Sequence, residues 1–145
     1  DKILFVYRFF PLSNKCNPYI PGEGGYPYGC SLAEASRCAG QQGKFWEFKT
    51  WGFGGQSWDN AQRAQKFSME GMKQEAANLG MNVEAFAQCV ESHVEFQKLK
   101  DDAAIASKIG IQGTPLILIN GEQYDGGHGS EAFAQAFSQA LSKVK

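Results

Sequence analysis

Gly113-Thr114-Pro115-Leu116-Ile117-Leu118-Ile119-Asn120-Gly121 is the stretch on which the fold turns. Four consecutive apolar residues, two of them β-branched, predict a short buried strand over 116–119. Asn-Gly after it is a two-residue hairpin signal, because both residues tolerate the positive φ that such turns require. A second strand is expected around Gln123-Tyr124, ended by Gly126-Gly127. Ser130 then caps a final amphipathic helix whose inward face carries Phe133, Phe137, Ala140 and Leu141.

Upstream of this stretch the apolar period is helical. Asn60 is read as the cap of a helix over residues 60–79, stopped by Gly80. Asn82 caps a short helix with Phe86, Cys89 and Val90 on one face. Ser92 or His93 opens another, with Leu99, Ala103, Ala106 and Ile109 inward and Gly110 at its end. Earlier still, Ser31 with Glu34 three residues on reads as a capping box, and Leu32, Ala35 and Cys38 share a face before Gly40 and Gly43 weaken the helix. Asn14, Asn17, Pro18, Pro21, Gly22, Gly24, Gly25 and Pro27 mark the preceding segment as a loop. Ile3-Leu4-Phe5-Val6-Tyr7 predicts a strand over 3–9 buried on both faces, closed by Pro11. The chain opens on Asp1 and runs directly into that strand, so it is read as a processed product or an excised piece.

Composition narrows the class. The 145 residues suit one domain, and the 43% hydrophobic and 13% aromatic content argues for a packed core. Fourteen basic against 15 acidic residues give a net charge of −1, without the clustered cations of a nucleic-acid binder. No apolar run approaches the roughly 20 residues of a membrane-spanning helix.

The four cysteines, Cys16, Cys30, Cys38 and Cys89, form no Cys-x-x-Cys unit, and neither His93 nor His128 falls at metal-ligand spacing from them. Two structural disulfides in an oxidising compartment are expected, with no metal and no cofactor. Cys38 and Cys89 lie on inward helix faces, and Cys16 and Cys30 bracket the Pro/Gly-rich loop. Pairing 16–30 with 38–89 is therefore expected, with 16–38 and 30–89 as the rival.

Several of these segments carry a resemblance. Gly113-Thr114-Pro115 before the apolar strand resembles the cis-proline loop of the DsbA-like branch of the thioredoxin superfamily. Gln42-Gly43-Lys44-Phe45-Trp46-Glu47-Phe48 is similar to a stretch of that family's inserted helical domain, and Arg8-Phe9-Phe10-Pro11-Leu12 to the strand end just before it. Asn78-Leu79-Gly80-Met81 and Phe86-Ala87-Gln88-Cys89 match its later helices. The cysteine-bearing loop is most similar to DsbA-like domains found beside vitamin K epoxide reductase homologues.

The resemblance implies an α/β thioredoxin-like fold with an inserted helical domain, lacking the first strand and active-site helix. Residues 1–12 and 111–145 would form the thioredoxin-like portion, 13–30 the cysteine-bearing loop and 31–110 the inserted domain. It further implies a cis Pro115 and a substrate-binding loop of Gly113, Thr114 and Pro115. The family's catalytic dithiol belongs to a strand-helix unit that would precede Ile3, where the helix N-terminus lowers the thiol pKa and the second cysteine resolves the mixed disulfide. None of the four cysteines here inherits that role by spacing. The missing strand would lie between residues 3–9 and 116–119. The gap is expected to be filled by a further segment, by a second, strand-completing copy, or by direct pairing of the two flanking strands.

Two functions follow as expectations. The first is the C-terminal portion of a periplasmic or otherwise extracytoplasmic thiol–disulfide oxidoreductase, acting on protein cysteines and re-oxidised by a membrane partner of the vitamin K epoxide reductase or quinone-linked type. The second is a redox-inactive peptide-binding or structural module. Phe45, Trp46, Trp51, Phe53 and Trp58 beside Gly52, Gly54 and Gly55 are read as helical-domain core rather than a peptide surface. His128 is read as a solvated loop residue, and Asp101-Asp102 as a solvated helix face.

Overall fold

Helical periodicity dominates the middle of the chain, and seven helices form among the described residues. The structure is a computed structural model that describes residues 2–22, 26–111 and 113–143. Gly24 and Gly25 of the expected loop lie outside the described residues. The chain divides into two units, one of Asp1–Arg8 with Ile111–Lys145 and the other of Phe9–Gly110.

The larger unit holds six helices. Helix α1 (Gly29–Gly40) buries Cys30, Ala33, Ala35, Cys38 and Ala39. Its cap position is Tyr28, three residues before the expected Ser31, whose hydroxyl instead donates to the Tyr28 carbonyl at 3.1 Å. Helix α2 (Phe45–Gly54) runs into a short 3-10 turn, Gly55–Ser57. Asp59, not Asn60, caps α3 (Asn60–Lys66), in a reciprocal box with Gln62.

The single helix expected over 60–79 is two. Ser68 interrupts it by accepting from the Gly71 N–H at 3.2 Å, which starts α4 (Met69–Asn78) anew. A Cβ at residue 71 would strike the Lys66 carbonyl, so glycine permits the two helices to abut. Asn82 caps α5 (Val83–Glu91) through the Ala85 N–H at 2.9 Å. Glu95 occupies the cap of α6 (Phe96–Lys108), later than the expected Ser92 or His93. Ile109, expected inward, is 58% exposed, because the helix has already ended at Lys108.

The core of this unit sits between α1, α2, α4 and α5, where Phe48, Phe86, Met72, Ala76, Cys38 and Cys89 pack together. Phe48 and Phe86 are fully buried, with ring centroids 5.3 Å apart.

In the smaller unit, β1 (Leu118–Ile119) pairs antiparallel with β2 (Glu122–Gln123) across Asn120-Gly121. Both turn residues have positive φ, 52° and 88°, as a two-residue hairpin of this kind demands. The expected strand over 116–119 is shorter, since β2 offers only two partners before Asp125 and Gly126; one further bond joins the Tyr124 N–H to the Ile117 carbonyl at 2.9 Å. Helix α7 (Ser130–Ser142) follows, capped by Gly129 rather than by Ser130. Phe133 packs on Tyr124 and Phe137 at 5.4 and 5.9 Å, yet no residue of α7 is fully buried.

The strand expected over residues 3–9 is not formed, and β1–β2 is the only sheet among the described residues. Direct pairing of residues 3–9 with 116–119 is therefore absent. Leu4 is 88% exposed and Phe5 65%, so residues 3–6 are not buried on either face, whereas Phe9 is buried. An apolar run becomes a strand only where a neighbouring ladder takes up its amides and carbonyls, and hydrophobicity alone does not supply one.

Candidate functional site

The loop leading into β1 places Gly113, Thr114 and Pro115 at the surface, all three exposed. The Thr114–Pro115 peptide bond is cis. Leu116 and Ile117 are half-buried behind it, and the hairpin bond from Tyr124 to Ile117 fixes where the loop leaves the sheet. Thr114 is accordingly offered at the surface beside the hairpin.

All four cysteines lie in the other unit, joined as Cys16–Cys30 and Cys38–Cys89. The rival pairing is not formed. The residues are deeply placed: Cys16 is 0% and Cys38 1% exposed, with Cys30 and Cys89 at 8% and 9%. Cys16 sits in a turn wound about Asn17, whose Nδ2 donates to the Pro11 carbonyl at 3.0 Å and whose Oδ1 accepts from the Tyr19 N–H at 3.2 Å. The bond to Cys30 fastens this turn to the start of α1. Cys38–Cys89 joins α1 to α5 inside the core. The pairs are separated by 14 and 51 residues in sequence, and no cysteine is free.

A buried polar network escaped the sequence reading. Arg37 on α1 donates from Nε to Glu95 at 3.0 Å and from Nη1 to Asp102 at 3.1 Å, and both carboxylates are 4% exposed. Glu95 also accepts from Gln41 at 2.8 Å and Lys98 at 2.7 Å. Burial alone would push its carboxyl up, but the hydrogen bonds from Lys98, Arg37 and Gln41 outweigh that and hold it below the usual range. Asp102 further accepts from the Phe9 N–H at 3.4 Å, which pins the start of this unit to α6. The expectation of two solvated carboxylates at 101 and 102 thus holds for Asp101 only; adjacent helical residues point apart, and Asp102 points inward. A groove of about 320 Å³ opens beside this network, lined by Arg37, Gly40, Gln41, Phe45, Glu95 and Lys98.

A second pair ties α1 to the turn before α6. His93, at φ 53°, places Nδ1 2.9 Å from Oε2 of Glu34, a carboxylate whose side chain is 3% exposed. One signal was present in the sequence. Glu34 and Arg37 fall at the same helical spacing as Cys30 and Cys38, so polar groups share the inward stripe and require partners there.

The aromatic cluster divides. Trp51 and Trp58 pack on Phe67 at 5.4 Å each, and Gly55 leaves room for the Phe67 ring. Trp46 and Phe53 remain 46% and 54% exposed, with the Lys49 ammonium over both rings at 5.7 and 4.5 Å. Burial there pushes the Lys49 amine down. His128 is exposed and stacks on Phe133. Among the described residues no three His, Cys, Asp or Glu side chains converge as a metal site would require, and no helix is long and apolar enough to cross a membrane.

The family model of the DSBA-like thioredoxin domain matches residues 36–138, well over half of the chain. The chain belongs to that family. As a DSBA-like thioredoxin domain it has Cys38, Cys89 and the loop at Gly113, Thr114 and Pro115 inside the matched span, whereas Cys16 and Cys30 precede it. Curated relatives include the Na(+)/H(+) antiporter NhaA 1 of Mycolicibacterium vanbaalenii, 30% identical over 128 residues, covering 87% of this chain and 18% of the antiporter. The namesake from Mycobacterium sp. (strain KMS) is 29% identical over the same shares. That of Salinispora arenicola is 24% identical over 143 residues, 99% of this chain and 19% of the antiporter. The chain spans less than a fifth of the length of these relatives. No solved structure gives a significant match.

Proposed function

We propose that this DSBA-like domain is the C-terminal portion of an extracytoplasmic thiol–disulfide oxidoreductase acting on protein cysteines, with its catalytic Cys-x-x-Cys encoded upstream of Asp1. The observation that carries this reading is the family match, combined with the engagement of every cysteine here in a buried, non-vicinal disulfide. The two disulfides also support a periplasmic or similar oxidising compartment. In this reading residues 1–12 and 111–145 are the thioredoxin-like portion, 31–110 the inserted helical domain and 13–30 a stapled loop. Gly113, Thr114 and Pro115 hold an extended substrate through backbone hydrogen bonds, an edge-pairing mode that needs no particular side chains. A membrane redox partner of the vitamin K epoxide reductase or quinone-linked type re-oxidises the dithiol, and a strand from the upstream segment or from a second copy completes the sheet beside residues 3–9.

The antiporter relatives favour a second reading, a redox-inactive peptide-binding or structural module, since a segment like this one forms under a fifth of those longer chains. One experiment separates the two. The natural reading frame, extended upstream, is expressed and mixed with a reduced, unfolded protein. Oxidation of substrate thiols, abolished by changing the upstream cysteines and weakened by Thr114→Pro, is the expected result. An upstream frame without a dithiol, or an extended protein that leaves the thiols reduced, overturns the first reading and leaves the module.

A further inference from the structure

Six asparagines occur in the chain, and only Asn120 is followed by glycine. Asn120 and Gly121 form the exposed tip of the β1–β2 hairpin, at φ 52° and 88°. We propose that Asn120 is a site of spontaneous deamidation and backbone isomerisation, which disconnects the hairpin adjoining the Gly113–Thr114–Pro115 loop. The chemistry needs only water and a solvent base. The Gly121 backbone nitrogen gives up its proton and attacks Cγ of Asn120, forming a five-membered succinimide, and the side-chain amide nitrogen leaves as ammonia. Water then opens one of the two imide carbonyls, giving aspartate or isoaspartate; nothing is oxidised or reduced.

Two features of the structure favour this position. Glycine presents no Cβ to hinder approach of its nitrogen to the neighbouring side chain, and nothing stands within 4 Å of where a Cβ on Gly121 would lie. The attack also requires the turn to leave its hairpin geometry, and this hairpin has only two residue pairs, Leu118↔Gln123 and Ile119↔Glu122. A ladder so short at an exposed edge opens at small free-energy cost.

Three of the other five asparagines are protected in different ways. Asn17 is buried, donates to the Pro11 carbonyl, and precedes Pro18, which has no N–H to attack with. The Asn82 side chain is held as a helix cap and precedes β-branched Val83. Asn78 donates to Glu75 within a helical turn and precedes Leu79. An isoaspartate at residue 120 carries the main chain through its side-chain methylene. One extra backbone atom in a two-residue turn removes the match that sets the register of Ile119 against Glu122.

The test is an aged sample of the intact chain, held in mildly alkaline buffer and followed by intact mass and peptide mapping that resolves aspartate from isoaspartate. The expected result is a gain of about one dalton at Asn120 ahead of all five other asparagines, with isoaspartate among the products. Hydrogen exchange at the Tyr124 amide speeds up in the isoaspartate fraction, while helices α1 to α6 stay protected. Asn120→Asp, which adds the charge without the extra backbone atom, keeps the Tyr124 amide protected. Conversion of another asparagine first, or an unchanged Asn120 in folded protein that deamidates when unfolded, overturns the proposal. Equal loss of protection in Asn120→Asp overturns the register argument.

Discussion

Replacing each disulfide by a pair of alanines separates a core crosslink from a loop staple, and the two costs follow from where the bonds sit. Cys16–Cys30 spans a sequence separation of 14 and Cys38–Cys89 one of 51. In the chain-entropy description, closing loops of those sizes in the unfolded chain is worth about 3 and about 4 kcal/mol respectively. The second bond has a further contribution. Cys38 and Cys89 lie in the cluster with Phe48, Phe86 and Met81, and exchanging sulfur for hydrogen there leaves a void costing roughly 1 kcal/mol more. Cys38→Ala with Cys89→Ala should therefore lose about 5 kcal/mol, a large fraction of the 5–15 kcal/mol typical of a folded domain. Cys16→Ala with Cys30→Ala should lose about 3 kcal/mol, with loosening concentrated around the turn at Asn17. Urea unfolding followed by the fluorescence of the three tryptophans measures both. A Cys38/Cys89 double variant within about 1 kcal/mol of the parent, or less affected than the Cys16/Cys30 one, refutes the assignment of 38–89 as the core crosslink.

Three other outcomes are expected. Arg37→Met leaves the inward carboxylates of Glu95 and Asp102 without their shared cation and should cost about 3 kcal/mol in chemical denaturation; Arg37→Lys should not restore it, because one ammonium cannot match the guanidinium fork across two carboxylates. The Glu95 carboxyl is held below its ordinary value of 4.5 in the folded chain, so its contribution is whole above that pH and is lost as pH falls through the lowered folded value. The urea midpoint should accordingly fall on acidification below about pH 5, and Glu95→Gln should flatten part of that slope. Asn82→Ala removes the acceptor for the Ala85 N–H and should lower stability by about 1 kcal/mol in thermal unfolding.

Local chemistry was legible in the sequence, and distant partnership was not. Asn82 as a helix cap and Asn120-Gly121 as a hairpin turn depend on neighbours within four residues, and both form as read. Gly80 and Gly110, at φ 72° and 79°, end their helices in the left-handed conformation that glycine tolerates. The cap of α1 falls at Tyr28 rather than Ser31 because Ser31 turns its hydroxyl to the Tyr28 carbonyl, a competition that residue type does not reveal. The same holds for Ser68, which divides one expected helix into two. Residues 3–9 have the composition of a strand, but strand formation depends on a ladder partner rather than on the run itself. Asp102 turns inward to partners that local sequence does not announce, Arg37 lying 65 residues away and Phe9 93 away. Only the placement of Glu34 and Arg37 on the cysteine-bearing face of α1 hints that buried charge has to be met.

The proposed function has both disulfides structural and the redox centre outside these residues. It is tested most directly by mixing the native oxidised chain with excess reduced dithiol peptide, trapping free thiols by alkylation, and mapping them. The account predicts that Cys16–Cys30 and Cys38–Cys89 both survive and the peptide stays reduced. Alkylated Cys16 and Cys30 alongside an equivalent of oxidised peptide would contradict it, and would make the loop pair the reactive centre.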